Sequence, residues 1–186
     1  MAEKIIVGVD GSEQSRAALD WALARATARG AEVELLHVAD DSFLSESVAF
    51  LSEAQRASEQ MLEAECAYAT SRGFAGKVTG TAVVGHPIAE VAEASKHGDL
   101  VVLGAHEGSR LAGSFFGTRA VKIAAAAFCP VAVIPFKQNP AAAGVVVGVD
   151  GSEASTKAVA CAAEDASLRG VPLHAVSAWM PPLTPG

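Results

Sequence analysis

Residues 4–30 read KIIVGVDGSEQSRAALDWALARATARG, and residues 144–170 read GVVVGVDGSEASTKAVACAAEDASLRG. Both stretches contain Val-Gly-Val-Asp-Gly-Ser-Glu, at an offset of 140 residues. Each begins with a short apolar run without polar alternation, which is typical of a strand buried on both faces of a parallel sheet. The serine after the glycine turn predicts a helix cap, and the helix should end at the closing glycine. The repeat therefore predicts one unit of about 140 residues and a partial second copy.

Strand and helix patterns continue to alternate after the first copy of the repeat. Because each crossover between parallel strands needs a helix, we expect a doubly wound α/β fold with a five-stranded parallel sheet of order 3-2-1-4-5. The strands are predicted at 5–9, 33–38, 78–84, 100–103 and 130–134, and the helices at 12–30, 45–72, 87–98 and 118–128. The expected domains are 1–136, a linker at 137–143, and an incomplete second domain (strand, helix, strand and tail) at 144–186.

Two segments are predicted to face one crevice. With the order 3-2-1-4-5, the sheet reverses between the first and fourth strands, and ligands of such sheets bind at the carboxyl ends of strands at that reversal. Asp10-Gly11-Ser12 follows the first strand, and the glycine-rich loop 104–117 follows the fourth. The loop offers close backbone approach, amide donors and a helix amino terminus, which together favour a phosphate.

Composition and charge narrow the class of partner. The formal net charge of -7 disfavours nucleic acid and anionic membrane as partners. No amino-terminal apolar segment with a cleavage site is present, and the apolar stretch 120–136 is interrupted by Lys122, Pro130 and Pro135. Three scattered cysteines suit a reducing compartment and give no metal spacing. We therefore expect a cytoplasmic protein with a small-molecule or protein partner.

Three motifs together resemble a known family. They are the opening Val-Gly-Val-Asp-Gly-Ser of residues 7–12, the loop Gly104-x2-Glu107-x9-Gly117-Thr118, and the ending Cys-Pro-Val-Ala-Val-Ile of residues 129–134. This combination closely resembles the universal stress protein (UspA) family over the first 135 or so residues. The resemblance implies a fold like that of the adenine nucleotide alpha hydrolases, and ATP or a related adenine nucleotide as ligand. It also implies that the chain is of the tandem type.

The resemblance implies a set of nucleotide-binding residues. Adenosine would lie against Gly8, Val9, Asp10 and Val38, with Leu103 and Gly104 beneath the nucleotide. The phosphates would be held by Gly117, Thr118 and the backbone of Arg119. Glu107 and Gly108 belong to the same loop. Magnesium could accompany the phosphates, with Asp10 as the nearest carboxylate.

Glu107 departs from the family pattern, which has a glycine there. A carboxylate beside a triphosphate adds repulsion on the order of 1 kcal/mol if it is solvated. Gly108 could restore the backbone freedom, and Arg110 or Arg119 could compensate the charge. We therefore expect nucleotide binding, with a family member that does not bind nucleotide as the alternative.

Several candidate residues also have simple structural interpretations. Asp10 could merely accept hydrogen bonds within its own turn, and Ser12 is better interpreted as a cap than as a nucleophile. His106 could touch phosphate or be a solvated loop histidine, and the other histidines show no ligand spacing.

Three functions are compatible with these observations. The first is a regulatory stress-response protein whose conformation and dimerisation depend on bound ATP, with at most slow ATP hydrolysis. The second is a dimeric interaction module that binds no nucleotide. The third is an enzyme of the adenylating type, in which a related fold has a glycine- and serine-rich turn after the first strand. The turn at residues 10–15 resembles that turn only faintly. The fifth strand, 130–135, would lie at a sheet edge and predicts a homodimer interface. The partial second copy could be a truncation, a docked segment or a segment swapped between chains.

Overall fold

The computed structural model describes residues 2–41, 48–105, 118–137 and 144–178, and it divides into two compact units, residues 1–138 and 139–186. The elements of the first unit are β1 (Lys4–Gly8), α1 (Glu13–Arg29), β2 (Glu32–Asp40), α2 (Val48–Ser71), β3 (Val78–Gly85), α3 (Pro87–Ala94) followed by a 3-10 turn (Ser95–His97), β4 (Leu100–Ala105), α4 (Thr118–Ala126) and β5 (Val131–Pro135). Those of the second unit are β6 (Val145–Gly148), α5 (Glu153–Arg169) and β7 (Leu173–Val176).

The five strands of the first unit form one parallel sheet of order β3-β2-β1-β4-β5. This confirms the predicted α/β fold and its strand order. The strand order reverses between β1 and β4, which pair directly, with Ile5 opposite Leu100 and Val7 opposite Val102. Their carboxyl ends therefore lie side by side.

Helix α1 begins and ends where the sequence predicts. Ser12 is the N-cap, and its hydroxyl accepts a hydrogen bond from the Ser15 amide at 3.1 Å. Gly30 ends the helix in the left-handed region at φ 65°, which a glycine adopts without the steric cost of a side chain. The face of α1 that packs on the sheet carries the predicted apolar residues, all of them buried: Ala18, Leu19, Ala22, Leu23 and Ala26.

The sheet is covered on both faces, as a buried parallel sheet requires. One face packs against α1 and α2 through a cluster that includes Val7, Leu19 and Leu62. The other packs against α3 and α4 through a cluster that includes Ile6 and Ile123. Successive residues of β1 thus point into different cores, which explains its continuous apolar run.

Some element ends differ from the sequence prediction. The helix predicted at 87–98 ends at Ala94 and continues as the 3-10 turn. The helix predicted to reach residue 128 ends at Ala126, and the amide of Phe128 donates instead to the Ser95 hydroxyl at 2.8 Å. A side chain from another segment thus satisfies the backbone beyond the helix end, and helical periodicity does not reveal such a contact.

The second unit repeats the start of the first. Its parallel strands β6 and β7 flank α5, which has Ser152 as N-cap and Gly170 as a left-handed C-cap. Val146 and Val176 are exposed, whereas Val147 is buried. This is the strand-helix-strand arrangement that the repeat predicts.

Gly104 allows β4 to pass unusually close to the start of α1. A Cβ atom at this position would lie 2.4 Å from the carbonyl oxygen of Gln14 and 2.9 Å from the amide nitrogen of Ser15. These atoms belong to the backbone of a capped helix, so they have little freedom to move. Gly104 therefore brings the end of β4 against the turn that follows β1.

Gly104→Ala should destabilise the first unit by about 1–3 kcal/mol, because the added methyl group meets backbone. Gly8→Ala is the matched control, since the close contact of a Cβ at Gly8 would be with the end of the Leu103 side chain, at 2.7 Å, and the backbone oxygen of Val102 lies at an ordinary 4.0 Å. Urea unfolding of the two variants measures the difference. Equal losses of unfolding free energy would show that the backbone contact is not the stronger constraint.

Candidate functional site

A cavity of about 400 Å³ lies at the carboxyl ends of the central strands of the first unit. Its volume is within the range of small-molecule binding pockets, roughly 300–1,000 Å³. The strand and turn residues that line it are Gly8, Val9, Asp10, Leu36, Val38, Leu103 and Gly104, and the helix residues are Ser15, Pro87, Val91, Arg119, Ala120 and Ile123. The cavity lies at the reversal of strand order, where ligands of this sheet architecture bind.

The structure brings together seven of the eleven residues predicted for nucleotide binding, and these line the cavity: Gly8, Val9, Asp10, Val38, Leu103, Gly104 and Arg119. Thr118 is the first residue of α4, next to the lining residue Arg119. Glu107, Gly108 and Gly117 lie outside the described residues, as does His106. The opening turn and the end of β4 therefore do face one crevice.

Helices α3 and α4 supply lining residues that the sequence analysis did not name. Pro87 and Val91 are one helical turn apart on α3, and Ala120 and Ile123 lie on one face of α4. Their apolar spacing was visible in the sequence, but it predicted only a core-facing helix. The same face reaches both the core and the cavity.

The cavity is largely apolar, with one acidic and one basic lining residue. Asp10 follows β1, and Arg119 lies in the first turn of α4. The amide groups of a helix amino terminus favour anions, and the arginine adds a full positive charge. The α4 side of the cavity can thus attract an anionic group, while the remaining wall suits an apolar or aromatic one.

Arg119 also forms an ion pair with the end of β2. Its Nη2 atom lies 3.8 Å from Oδ2 of Asp40, and the Arg119 side chain is 68% exposed. Sequence reasoning did not identify Asp40, because the two residues are 79 positions apart and no motif contains both. Exposed pairs of this kind contribute about 0–1 kcal/mol.

Asp10 is part of a hydrogen-bonded turn. Its Oδ1 atom accepts from the Ser12 hydroxyl at 2.6 Å and from the Ser12 amide at 3.1 Å. The Ser15 hydroxyl in turn donates to the Ser12 carbonyl at 2.9 Å. These bonds support the structural interpretations of both residues, Asp10 as an acceptor in its own turn and Ser12 as a cap.

His37 supports the same turn from β2. Its Nδ1 atom lies 2.8 Å from the Val9 carbonyl oxygen, so this nitrogen carries the proton and donates. Val9 also donates its amide to the Leu36 carbonyl at 3.0 Å. The end of β1 is thus held by β2 through both a side chain and the backbone.

The second unit forms the same turn at Asp150-Gly151-Ser152. The Ser152 amide donates to Asp150 Oδ1 at 2.9 Å, and the Ser155 amide donates to the Ser152 hydroxyl at 3.0 Å. The hydrogen bonds from the Ser152 side chain and amide, with a further one from the Ser155 side chain, lower the pKa of Asp150 to about 2. The turn therefore stabilises the ionised carboxylate.

A preformed metal centre is not evident in the part of the chain that the structure describes, where no three His, Cys, Asp or Glu side chains cluster as metal ligands. At Asp10, Ser12 already engages the Oδ1 atom, so a magnesium ion bound to that atom would share it with Ser12. In the same described ranges, no helix combines the length and apolarity needed to cross a bilayer.

The sequence matches the Universal stress protein family over residues 1–135 and 144–186. The chain belongs to the universal stress protein family. It is 34% identical over 197 aligned positions to universal stress protein Rv1996 of Mycobacterium tuberculosis, covering 94% of this chain and 62% of that relative. It is 32% identical to universal stress protein Rv2005c of the same organism, covering 94% of this chain and 63% of that relative. The chain thus spans less than two thirds of the length of these relatives.

Solved structures of other universal stress proteins share the fold. One from Archaeoglobus fulgidus aligns with a TM-score of 0.77 at 20% identity, over 95% of this chain and 67% of that one. A universal stress protein in complex with cAMP has a TM-score of 0.58 at 24% identity, over 73% of this chain and 98% of that one. An Arabidopsis thaliana family protein with AMP bound has a TM-score of 0.53 at 20% identity, over 74% and 93%. At these identities the likeness concerns the fold.

Ser152→Ala should raise the pKa of Asp150 from about 2 towards its usual value near 3.8, because it removes the hydroxyl that bonds the carboxylate. A lowered carboxyl pKa stabilises the folded turn above the usual pKa, and this stabilisation disappears as the pH falls from about 4 to about 2. Carbon-detected NMR titration of Asp150 measures the shift, with Ser167→Ala, at an exposed position of α5, as control. An unchanged pKa in Ser152→Ala would contradict this assignment.

Proposed function

We propose that this universal stress protein binds an adenine nucleotide, with ATP as the first candidate, in the cavity at the ends of β1 and β4. Bound nucleotide would change the conformation of the protein, and this change would regulate dimerisation and partner binding. The family is generally regulatory rather than enzymatic. The chain would therefore act through occupancy of the site, with at most slow ATP hydrolysis.

The observation that carries this proposal is the composition of the cavity wall. Val38 and Leu103 offer apolar surface suited to an adenine ring, and Gly8 keeps the floor open beside β4. Arg119 and the amino terminus of α4 offer a cation and amide dipoles suited to phosphate. An apolar slot with a positive end matches a base joined to phosphates.

The structural neighbours support an adenine nucleotide rather than another anionic ligand. One is described in complex with cAMP and another with AMP bound. Both share the fold that places strand ends around this cavity. We propose the same ligand class here, and magnesium, if it accompanies ATP, would be held chiefly by the phosphates with Asp10 nearby.

The alternative is a family member that acts as a dimeric interaction module without nucleotide. Glu107 favours it, because a carboxylate replaces the glycine of the family pattern in the phosphate loop. Direct binding measurements distinguish the two functions. Mass spectrometry of small molecules released from freshly purified protein would identify any nucleotide that remains bound.

Ala120→Phe should weaken ATP binding by more than tenfold, because the ring would fill the cavity beside Arg119. Ala124→Phe is the matched control, since Ala124 lies one turn further along α4 at an exposed position. Titration calorimetry with ATP, AMP and adenosine measures the effect, and circular dichroism verifies folding. If Ala120→Phe does not fold, Arg119→Glu tests the same wall from an exposed position. An unmodified protein that binds none of ATP, AMP and adenosine would overturn the proposal.

We further propose a homodimer that forms through β5. This strand lies at the edge of the sheet and pairs only with β4 among the described strands. Val101 donates its amide to the Pro130 carbonyl, so in a parallel ladder the amides of residues 132 and 134 point towards β4 and that of residue 133 points outwards. An outward amide can pair with another chain.

Val133→Pro should therefore lower the dimer fraction, because proline removes an outward amide and leaves the ladder to β4 intact. Ala132→Pro is the control that removes an inward amide, and it should destabilise the unit itself. Analytical ultracentrifugation and thermal unfolding separate the two effects. A Val133→Pro protein that dimerises as well as the unmodified one would rule out this edge.

For the domains, we propose boundaries at 1–136 and 144–186 with a linker at 137–143. The two compact units and the two separate family matches support this division. Residues 144–186 would then be the beginning of a second universal stress protein domain.

A further inference from the structure

The ion pair between Asp40 and Arg119 links the end of β2 to a residue of the cavity wall. Asp40 is the last residue of β2, two positions after the lining residue Val38, so both side chains point to the same face of the strand. Arg119 lies in the first turn of α4 and lines the cavity itself. Asp40 is not itself among the described residues that line the cavity, so the pair lies beside the cavity and contacts it through Arg119.

Arg119 is the basic residue among those that line the described cavity, and Asp40 already interacts with it. Neither residue belongs to a motif that predicts this contact. An anionic group that enters the cavity and approaches α4 reaches the same guanidinium. Asp40 and the ligand anion therefore compete for one cation.

The geometry of the ion pair indicates which of the two anions Arg119 binds more strongly. The nitrogen-oxygen distance of 3.8 Å is long, and the Arg119 side chain is largely exposed, so water screens the pair. Phosphate oxygens can accept two hydrogen bonds from the planar guanidinium, which makes a stronger and more directional contact. Exchange of the carboxylate for phosphate is therefore favourable.

We propose that Asp40 lowers the affinity of the site for phosphate-bearing ligands by engaging Arg119 beside the cavity until a ligand phosphate replaces it. The inference rests on the proposed nucleotide site and adds the residue that opposes binding. Asp40 is a positioning residue here, since it acts through Arg119. Removal of the Asp40 charge should therefore increase the affinity most for ligands with more phosphate charge, and it should leave the affinity for adenosine unchanged.

The experiment measures the dissociation constants of adenosine, AMP, ATP and inorganic tripolyphosphate by titration calorimetry at low and moderate salt. Asp40→Asn should tighten ATP binding by about twofold to fivefold, the range that an exposed ion pair supports, and should leave adenosine binding unchanged. Arg119→Gln should weaken ATP binding by about tenfold. The double variant should bind ATP as Arg119→Gln does, because the proposed effect of Asp40 on ATP binding operates through Arg119.

Lys122→Gln is the matched control for charge. Lys122 is exposed on the same helix and does not line the cavity. Removal of the Lys122 charge should change the dissociation constant of ATP by less than about twofold at moderate salt. A larger change would mean that the general positive charge of α4 governs affinity, and this result would overturn the assignment to Asp40 and Arg119.

Three further results would contradict the exchange. The first is an Asp40→Asn variant with unchanged ATP affinity, and the second is an Asp40→Asn variant whose affinity for adenosine rises as much as its affinity for ATP. The third is an increase in ATP affinity on Asp40→Asn substitution that persists in the Arg119→Gln background, which would show that Asp40 repels phosphate directly. A protein that binds neither ATP nor adenosine would overturn the proposed nucleotide function instead. In that case the affinity for tripolyphosphate still tests the exchange of carboxylate for phosphate at Arg119. The exchange is supported if Asp40→Asn binds tripolyphosphate more tightly than the unmodified protein does, and it is contradicted otherwise.

Discussion

The site depends on the close approach of β4 to the first turn of α1. A single side-chain carbon at Gly104 would lie 2.4 Å from the Gln14 carbonyl oxygen, so the fold as described requires a glycine there. This contact fixes the end of β4 against the turn after β1, and direct pairing of the two strands extends the constraint into the sheet. Because both strand ends are held by backbone, the cavity between them has a rigid floor.

Much of this arrangement could be predicted from the sequence because it depends on local patterns. The run Ile5-Ile6-Val7 indicated a strand buried on both faces, and Ser12 and Gly30 marked the limits of α1. Strand-helix alternation indicated a parallel sheet, and such a sheet places the loops that follow its strands at one edge. The resemblance to the universal stress proteins then supplied the residues around the expected ligand.

The remainder depends on contacts between distant segments, which local patterns do not record. Helical spacing showed that Val91 and Ile123 face inwards, but it could not show that these positions border a cavity rather than solid core. Asp40 meets Arg119 only after β2 and α4 have been placed on the same sheet. The bond from His37 to the Val9 carbonyl likewise joins neighbouring strands, and its histidine carries no recognisable spacing.

The two copies of the repeat show that the shared turn alone does not make this cavity. Asp10 and Asp150 accept the same hydrogen bond from the serine two residues later, and both serines cap a helix. At Gly8, however, a Cβ would meet Leu103 at 2.7 Å, whereas at Gly148 no described atom lies within 4 Å. The first turn has β4 beside it, while the described strands of the second unit are β6 and β7 alone. A cavity of this kind therefore requires the neighbouring strand, and the Asp-Gly-Ser turn by itself serves to begin a helix.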